Sequence, residues 1–292
     1  MLSVLIKRNV KLFFKDKGMF LTSLITPVIL LVLYATFLGN VYRDAFTSTL
    51  PEGMQLPEKL INGLVGGQLV SSLLAVSCVT VAFCSNFLMV QDKATGTIRD
   101  LRISPVKAST LSLSYYVASL FSTLLICLVA TGICLGYLAM TGWYLSVSDV
   151  LCLLLDVVLL VLFGTALSSV INFFLSSQGQ ISAVGTVVSS GYGFICGAYM
   201  PISSFSPGLQ KVISFLPGTY GTGLMRNHAM QGALAEMQKQ GVPGGEIKDA
   251  MDCNLYFFEK QVGVPVMYGI LAVTVVVLVG VYILLNARKK EK

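Results

Sequence analysis

Neither Leu60–Val90 nor Ala108–Met140 carries a charged side chain. Runs of that length exceed the ~20 apolar residues needed to cross a bilayer core. The rest of the chain follows suit: of 292 residues, 55% are hydrophobic and 12% charged, about half the ~25% charge of a soluble domain. The sequence therefore predicts an all-α integral membrane protein with six transmembrane helices. They cover about Met19–Val41, Ile61–Val90, Leu111–Met140, Asp149–Leu175, Gln180–Met200 and Val262–Asn286. Pro27 is expected to kink the first, and the second, longer than a core requires, to tilt or protrude.

Charge sets the orientation. The N-terminus, the Gln91–Lys107 loop and the tail hold most of the 20 Lys and Arg residues, with only Asp16, Asp92, Asp100 and Glu291 among their acids. Basic loops stay inside, so both termini are expected in the cytoplasm of a multi-pass plasma-membrane protein. This distribution also argues against nucleic acid as a partner. Lys7, Arg8, Lys11, Lys15 and Lys17 precede a full-length span with no small-residue cleavage pattern, so no cleavable signal is expected. The seven cysteines have neither disulfide-framework nor metal-ligand spacing.

Three stretches stand apart from the spans. Leu2–Phe14 reads as a basic amphipathic helix in the headgroup plane, with Lys7, Arg8, Lys11 and Lys15 opposite Leu2, Leu5, Ile6, Val10 and Phe13. The charged island Gln91–Val106 reads QDKATGTIRDLRISPV. Gly96 permits a turn, Thr97 can cap a short helix with Asp100 in its first turn, and Pro105 moves Ser104 out of the helical region. Ala94, Ile98 and Leu101 share one apolar stripe if that helix begins early. Gly197–Gly232 is too apolar for a solvated loop, yet Pro201, Pro207 and Pro217 interrupt it. Short helices dipping back into the outer leaflet suit such a segment. Ala233–Lys260 is expected to be a solvated external insert.

Asp92-Lys93, Gly96-Thr97 and Ser104-Pro105 together resemble the acid-basic-x-x-Gly-Thr…Ser-Pro signature of ABC-2 type ABC transporter permeases. Arg99 stands where that family often has an acid. Gly197-x-x-Met200-Pro201-Ile202, Leu216-Pro217, Tyr220 and Arg226 resemble the family's second pattern, in the order and span spacing it requires. The resemblance extends over the whole chain as a single transmembrane domain. It implies that residues 91–107 form a coupling helix seated on a separate ATPase subunit, through Asp92, Lys93, Gly96, Thr97, Arg99, Asp100, Leu101, Ser104 and Pro105. It also implies an interfacial helix over residues 1–17, re-entrant helices over 197–232, and a second copy or related permease as partner.

No Gly-x-x-x-x-Gly-Lys-Ser/Thr occurs, so nucleotide phosphates cannot be cradled in the P-loop manner. A lone histidine, His228, gives no basis for a triad or metal cluster and reads as an interfacial side chain. The chain is therefore expected to be no enzyme and to hold no cofactor, with ATP and Mg bound by the partner ATPase. Asp156 lies two helical turns below Asp149, roughly 10 Å deeper, with no basic residue in the predicted spans to pair with it. It reads either as a water-facing cavity residue or as a snorkelling or protonated structural one. Gly185, Ser189, Gly193 and Gly197 form a small-residue face, with Gln68, Ser72 and Asn86 as polar counterparts. By resemblance, Gln68, Ser72, Asn86, Ser189 and Gly193 are candidates for the substrate pathway, with packing as the alternative reading, and Asp156 joins them by its depth.

The function these features imply is the permease subunit of an ATP-driven exporter of an amphipathic drug, peptide or lipid. A polysaccharide or lipid-linked glycan exporter is the alternative within that class. An ATP-independent secondary transporter or channel, or a membrane anchor, stands outside it.

Overall fold

The computed structural model describes residues 1–48, 56–103, 106–242, 244–258 and 260–288. The chain opens with α1 (Leu2–Lys15), and the Asp16 carboxylate then accepts the Met19 N–H at 3.1 Å to start α2 (Lys17–Leu33). Helix α2 continues through Pro27 into a π-helical turn at Tyr34–Leu38 and then α3 (Gly39–Ser48). The helix thus outlasts the expected first span, because Tyr42 and Phe46 find buried positions beyond Val41.

Helix α4 (Glu58–Ala94) is the central post, packed against α2, α6, α7, α8 and α10. In its most apolar window 94% of the residues are buried by the rest of the chain. That closure explains an apolar sequence without an amphipathic side. A short helix, α5 (Thr97–Ile103), leads to α6 (Ala108–Thr141). Next come α7 (Val147–Phe174) and α8 (Gln178–Ile195), each begun by a reciprocal capping box, Ser146 with Asp149 and Ser177 with Gln180.

Among the described residues, five segments are long and apolar enough to cross a membrane: Lys17–Asp44, α4, α6, α7 and Val264–Asn286. The expected fifth crossing corresponds to α8, whose 18 residues rise about 27 Å but are diluted by Gly, Ser and Gln. It ends at Ile195, earlier than the sequence reading had it.

Gly197–Gly232 contains a 3-10 turn at Ile202–Ser204, α9 (Pro207–Ser214) and most of α10 (Pro217–Lys239). Prolines stand at the starts of α9 and α10, where their missing N–H costs nothing. Helix α10 runs on past residue 232. After it come α11 (Gly244–Ala250), the antiparallel pair β1 (Leu255–Phe257) and β2 (Lys260–Val262), and α12 (Val264–Arg288). The expectation of a merely solvated insert is corrected here. Val242, Ile247, Met251, Asp252, Cys253, Leu255 and Val262 are all buried, so the insert packs its own apolar side onto α10.

Helix α10 comes close to the turn before α7. A Cβ built on Gly232 would lie 1.8 Å from the Tyr144 carbonyl oxygen, a backbone atom that cannot rotate away. Gly232→Ala should therefore destabilise the protein by about 1–3 kcal/mol, read as a lowered thermal midpoint in detergent. A midpoint equal to that of the parent would show that this turn yields freely.

Candidate functional site

At the α5 end, α4 stops at Ala94 and Gly96 turns the chain with φ +83°, a left-handed conformation that suits glycine. The Thr97 hydroxyl lies 3.0 Å from that of Thr95. Ala94 belongs to α4, so the apolar stripe of α5 is made by Ile98 and Leu101 alone. Both are half-buried; Leu101 packs on Leu88, Met89, Leu111 and Tyr115, and Leu5 and Leu12 of α1 cover the same cluster. Arg99, Asp100 and Ile103 face outward. Ser104 and Pro105 lie outside the described residues.

Asp92 and Lys93 turn into the bundle. Asp92 is buried and accepts from Arg8 Nη1 at 2.7 Å and from the Tyr115 hydroxyl at 2.5 Å, tying α1, α4 and α6 together. Burial works against the Arg8 charge, and Asp92 more than compensates, so the guanidinium stays above its ordinary value. Asn9, beside Arg8, donates to Ser114 at 3.3 Å. Lys93 Nζ donates to the carbonyls of Asn172, Phe173 and Leu175 at 2.9, 2.9 and 3.1 Å. These carbonyls lie at the C-terminus of α7, where a cation also meets the negative end of the helix dipole. Lys7, Lys11 and Lys15 remain exposed along the outer side of α1. The end of the bundle thus presents α1 and α5 as one face, held from behind by Asp92 and Lys93.

Along the bundle, Asn86 is buried and donates to Ser168 at 3.0 Å and Ser169 at 2.7 Å across the α4–α7 contact. Gln68 and Ser72 are buried on α4. Ser189 lines an open cavity of about 670 Å³ between α2, α4 and α8, with Phe87, Gln91, Ser182 and Thr186. The hydroxyls of Ser182, Thr186 and Ser190 each return to the carbonyl four residues earlier, so this polar side of α8 is satisfied without a partner. Gly193 is buried beneath the Tyr199 ring. The structure therefore brings Gln68 and Ser72 together on α4, gathers Asn86 into the α4–α7 seam, and leaves Ser189 at the cavity.

Two buried polar clusters occupy the opposite end. Asp156 is not alone: His228 Nδ1 lies 2.6 Å from one of its oxygens, and the Tyr268 hydroxyl donates to the other at 2.5 Å. The expectation of an unpaired carboxylate fails because its basic neighbour comes from α10, which is no predicted span, and joins α7 to α12. His228 is correspondingly half-enclosed, with its side chain 15% exposed.

The second cluster centres on Arg226, 1% exposed. It meets Asp252 at 3.2 Å, Ser72 at 3.5 Å and the Gly197 carbonyl. Asp252 also accepts the Ile202 N–H at 2.6 Å. Burial pushes the Asp252 carboxyl above its ordinary range, while the Arg226 charge and the Ile202 and Ser203 N–H groups pull it back. The signal for both clusters was present: a buried Arg and a buried Asp each require a counter-charge.

Apolar helices of spanning length, an amphipathic helix docked beside a short helix at one end, and buried ion pairs at the other define a multi-pass helical membrane protein. A family model described as ABC-2 type transporter matches residues 2–229, and the chain belongs to that family. It is thus an ABC transporter permease domain, of a family that works with an ABC ATPase. No curated protein matches the chain.

Proposed function

We propose that this chain is the membrane subunit of an ATP-driven exporter that moves an amphipathic substrate outward across the plasma membrane. In this reading α8 is a sixth crossing, both termini are cytoplasmic, and Gly197–Gly232 re-enters the outer leaflet. Two such subunits, identical or related, flank the pathway, and ATP and Mg are held by separate ATPase subunits. Exporter direction rests on family resemblance. The half-apolar cavity beside Ser189, with no charged residue among its lining, favours an amphipathic cargo over a polysaccharide.

The observation that carries the reading is the clasp behind α1 and α5. Force on the lysines of α1 reaches α4 and α6 through Arg8–Asp92–Tyr115, force on Arg99 and Asp100 reaches them through the Leu101 seat, and Lys93 ties α4 to α7. Gly96→Val forces a β-branched residue into a left-handed turn, and Leu101→Ser removes the apolar seat of α5. Both variants are expected to assemble with the ATPase but to stimulate ATP hydrolysis about tenfold less, within the usual range of coupling energies. Unchanged assembly together with unchanged stimulation would sink the assignment of α5. The Asp156–His228–Tyr268 cluster favours a second reading, a proton-coupled carrier. Uphill transport into sealed vesicles lacking any ATPase would select that one.

A further inference from the structure

The function above leaves unused an apolar surface formed by α9 and the β1–β2 hairpin. Helix α9 exposes Leu209 and Val212, Phe215 just past its end is exposed too, and the hairpin exposes Phe257 and Phe258. The three phenylalanines pack edge to face, with ring centroids 5.1 Å from Phe215 to Phe257, 6.0 Å from Phe215 to Phe258 and 5.0 Å between the last two. A ring cluster still open on its outer side is not a satisfied core; such patches mark interaction sites.

Chain connectivity fixes its depth. Val262 is two residues from the start of the α12 span, two residues reach no more than about 7 Å, and Phe257 pairs with Lys260 of the same hairpin while Phe215 stacks on Phe257 and Phe258. The patch therefore lies level with the mouth of the spans, where amphipathic elements bury an apolar face at the headgroup boundary. Neither α9, with 8 residues, nor strands of 3 residues can cross a bilayer.

Behind the rings is a cavity of about 720 Å³, within the ~300–1,000 Å³ range of ligand sites. Gln210, Lys211, Asp249, Asn254, Tyr256 and Lys260 are among its lining. Its carboxylates are already engaged: Asp249 accepts from Asn254 at 2.8 Å and Tyr256 at 2.9 Å, and Asp252 holds Arg226 and the Ile202 N–H. Among the described residues, neither Lys211 nor Lys260 pairs with a carboxylate. Lys211 Nζ instead lies 5.9 Å from the centre of the Phe258 ring. Two ammonium groups therefore border three rings at the membrane boundary. A phosphate on one side and hydrocarbon on the other satisfy both.

We propose that this cavity binds the phosphate headgroup of an anionic phospholipid of the outer leaflet, contacted by Lys211 and Lys260, with Phe215, Phe257 and Phe258 inserted beside its acyl chains. The site goes beyond the transport reading; its assignment to the outer leaflet rests on the orientation proposed above, and lipid binding itself requires only that the chain sits in a membrane.

The full chain, reconstituted in nanodiscs of equal phosphatidylglycerol and phosphatidylcholine, is extracted and its retained lipid counted by native mass spectrometry. Phosphatidylglycerol should be retained in preference, and Lys211→Gln and Lys260→Gln should each reduce that preference about fivefold. In a Trp143→Phe background, the indole introduced by Phe258→Trp should be quenched by lipids brominated high on the chain. Equal retention of phosphatidylglycerol by the double glutamine variant would overturn the proposal. So would displacement of the lipid by millimolar inorganic phosphate, which would make this a site for the free anion. Quenching by aqueous iodide alone, or only upon association of two copies, would equally refute it.

Discussion

Asp252→Ala should destabilise this protein more than any surface change, by about 3–5 kcal/mol, because it leaves a buried guanidinium without its carboxylate. Arg226 has little else: a Gly197 carbonyl and a long contact to Ser72. The same substitution frees the Ile202 N–H, so the turn after α8 loses its tether to the insert. A fall in thermal midpoint of roughly 10 °C or more is expected in detergent. Taking two charges out of water offsets much of their mutual attraction, and burial pushes the Asp252 carboxyl up even beside Arg226. Replacing both partners together, as Arg226→Met with Asp252→Leu, should therefore recover most of the loss. If the single variant melts with the parent, the pair is not buried in the working protein. If the double variant is as poor as the single, an apolar pair cannot substitute for it.

Asp92→Ala is expected to release α1. Its carboxylate is the shared acceptor for Arg8 and Tyr115, and hydrogen bonds to a charged group are each worth about 1.5–3 kcal/mol. Helix α1 has no side-chain N-cap and otherwise docks through Phe13, Leu5, Leu12 and the Asn9–Ser114 contact. Hydrogen exchange should show amide protection in α1 falling about 100-fold, while α4 and α7 stay protected. Asp92→Asn should fall between, since an amide can still accept from one donor. Unaltered protection of α1 in the alanine variant would mean that its apolar side alone fixes it.

The spans were legible because length and freedom from charge are properties of a contiguous segment. The N-terminal amphipathic helix and the Gly96 turn were legible for the same reason, since periodicity and a left-handed glycine are local. Directions were not. Asp92 and Lys93 read as contacts for an outside partner, yet one is buried under α1 and the other clasps α7. A charge at the end of a span can point either way, and only tertiary packing decides. The insert misled because its polar residues outnumber the apolar ones that α10 covers. The buried pairs were hidden by distance along the chain: His228 lies 72 residues from Asp156, and Arg8 84 from Asp92. Arg226 and Asp156 were nonetheless conspicuous, and a search for their counter-ions among non-spanning residues would have led to Asp252 and His228.

Helix α4 has one further consequence. Its 37 residues form an unbroken rod about 55 Å long, carrying Asp92 near one tip and meeting the Arg226 cluster through Ser72 farther along. A lever of that length converts a tilt of about 5° into about 5 Å of travel at its far tip. Were the rod to rock about its foot, the displacement at the opposite mouth would scale with that length.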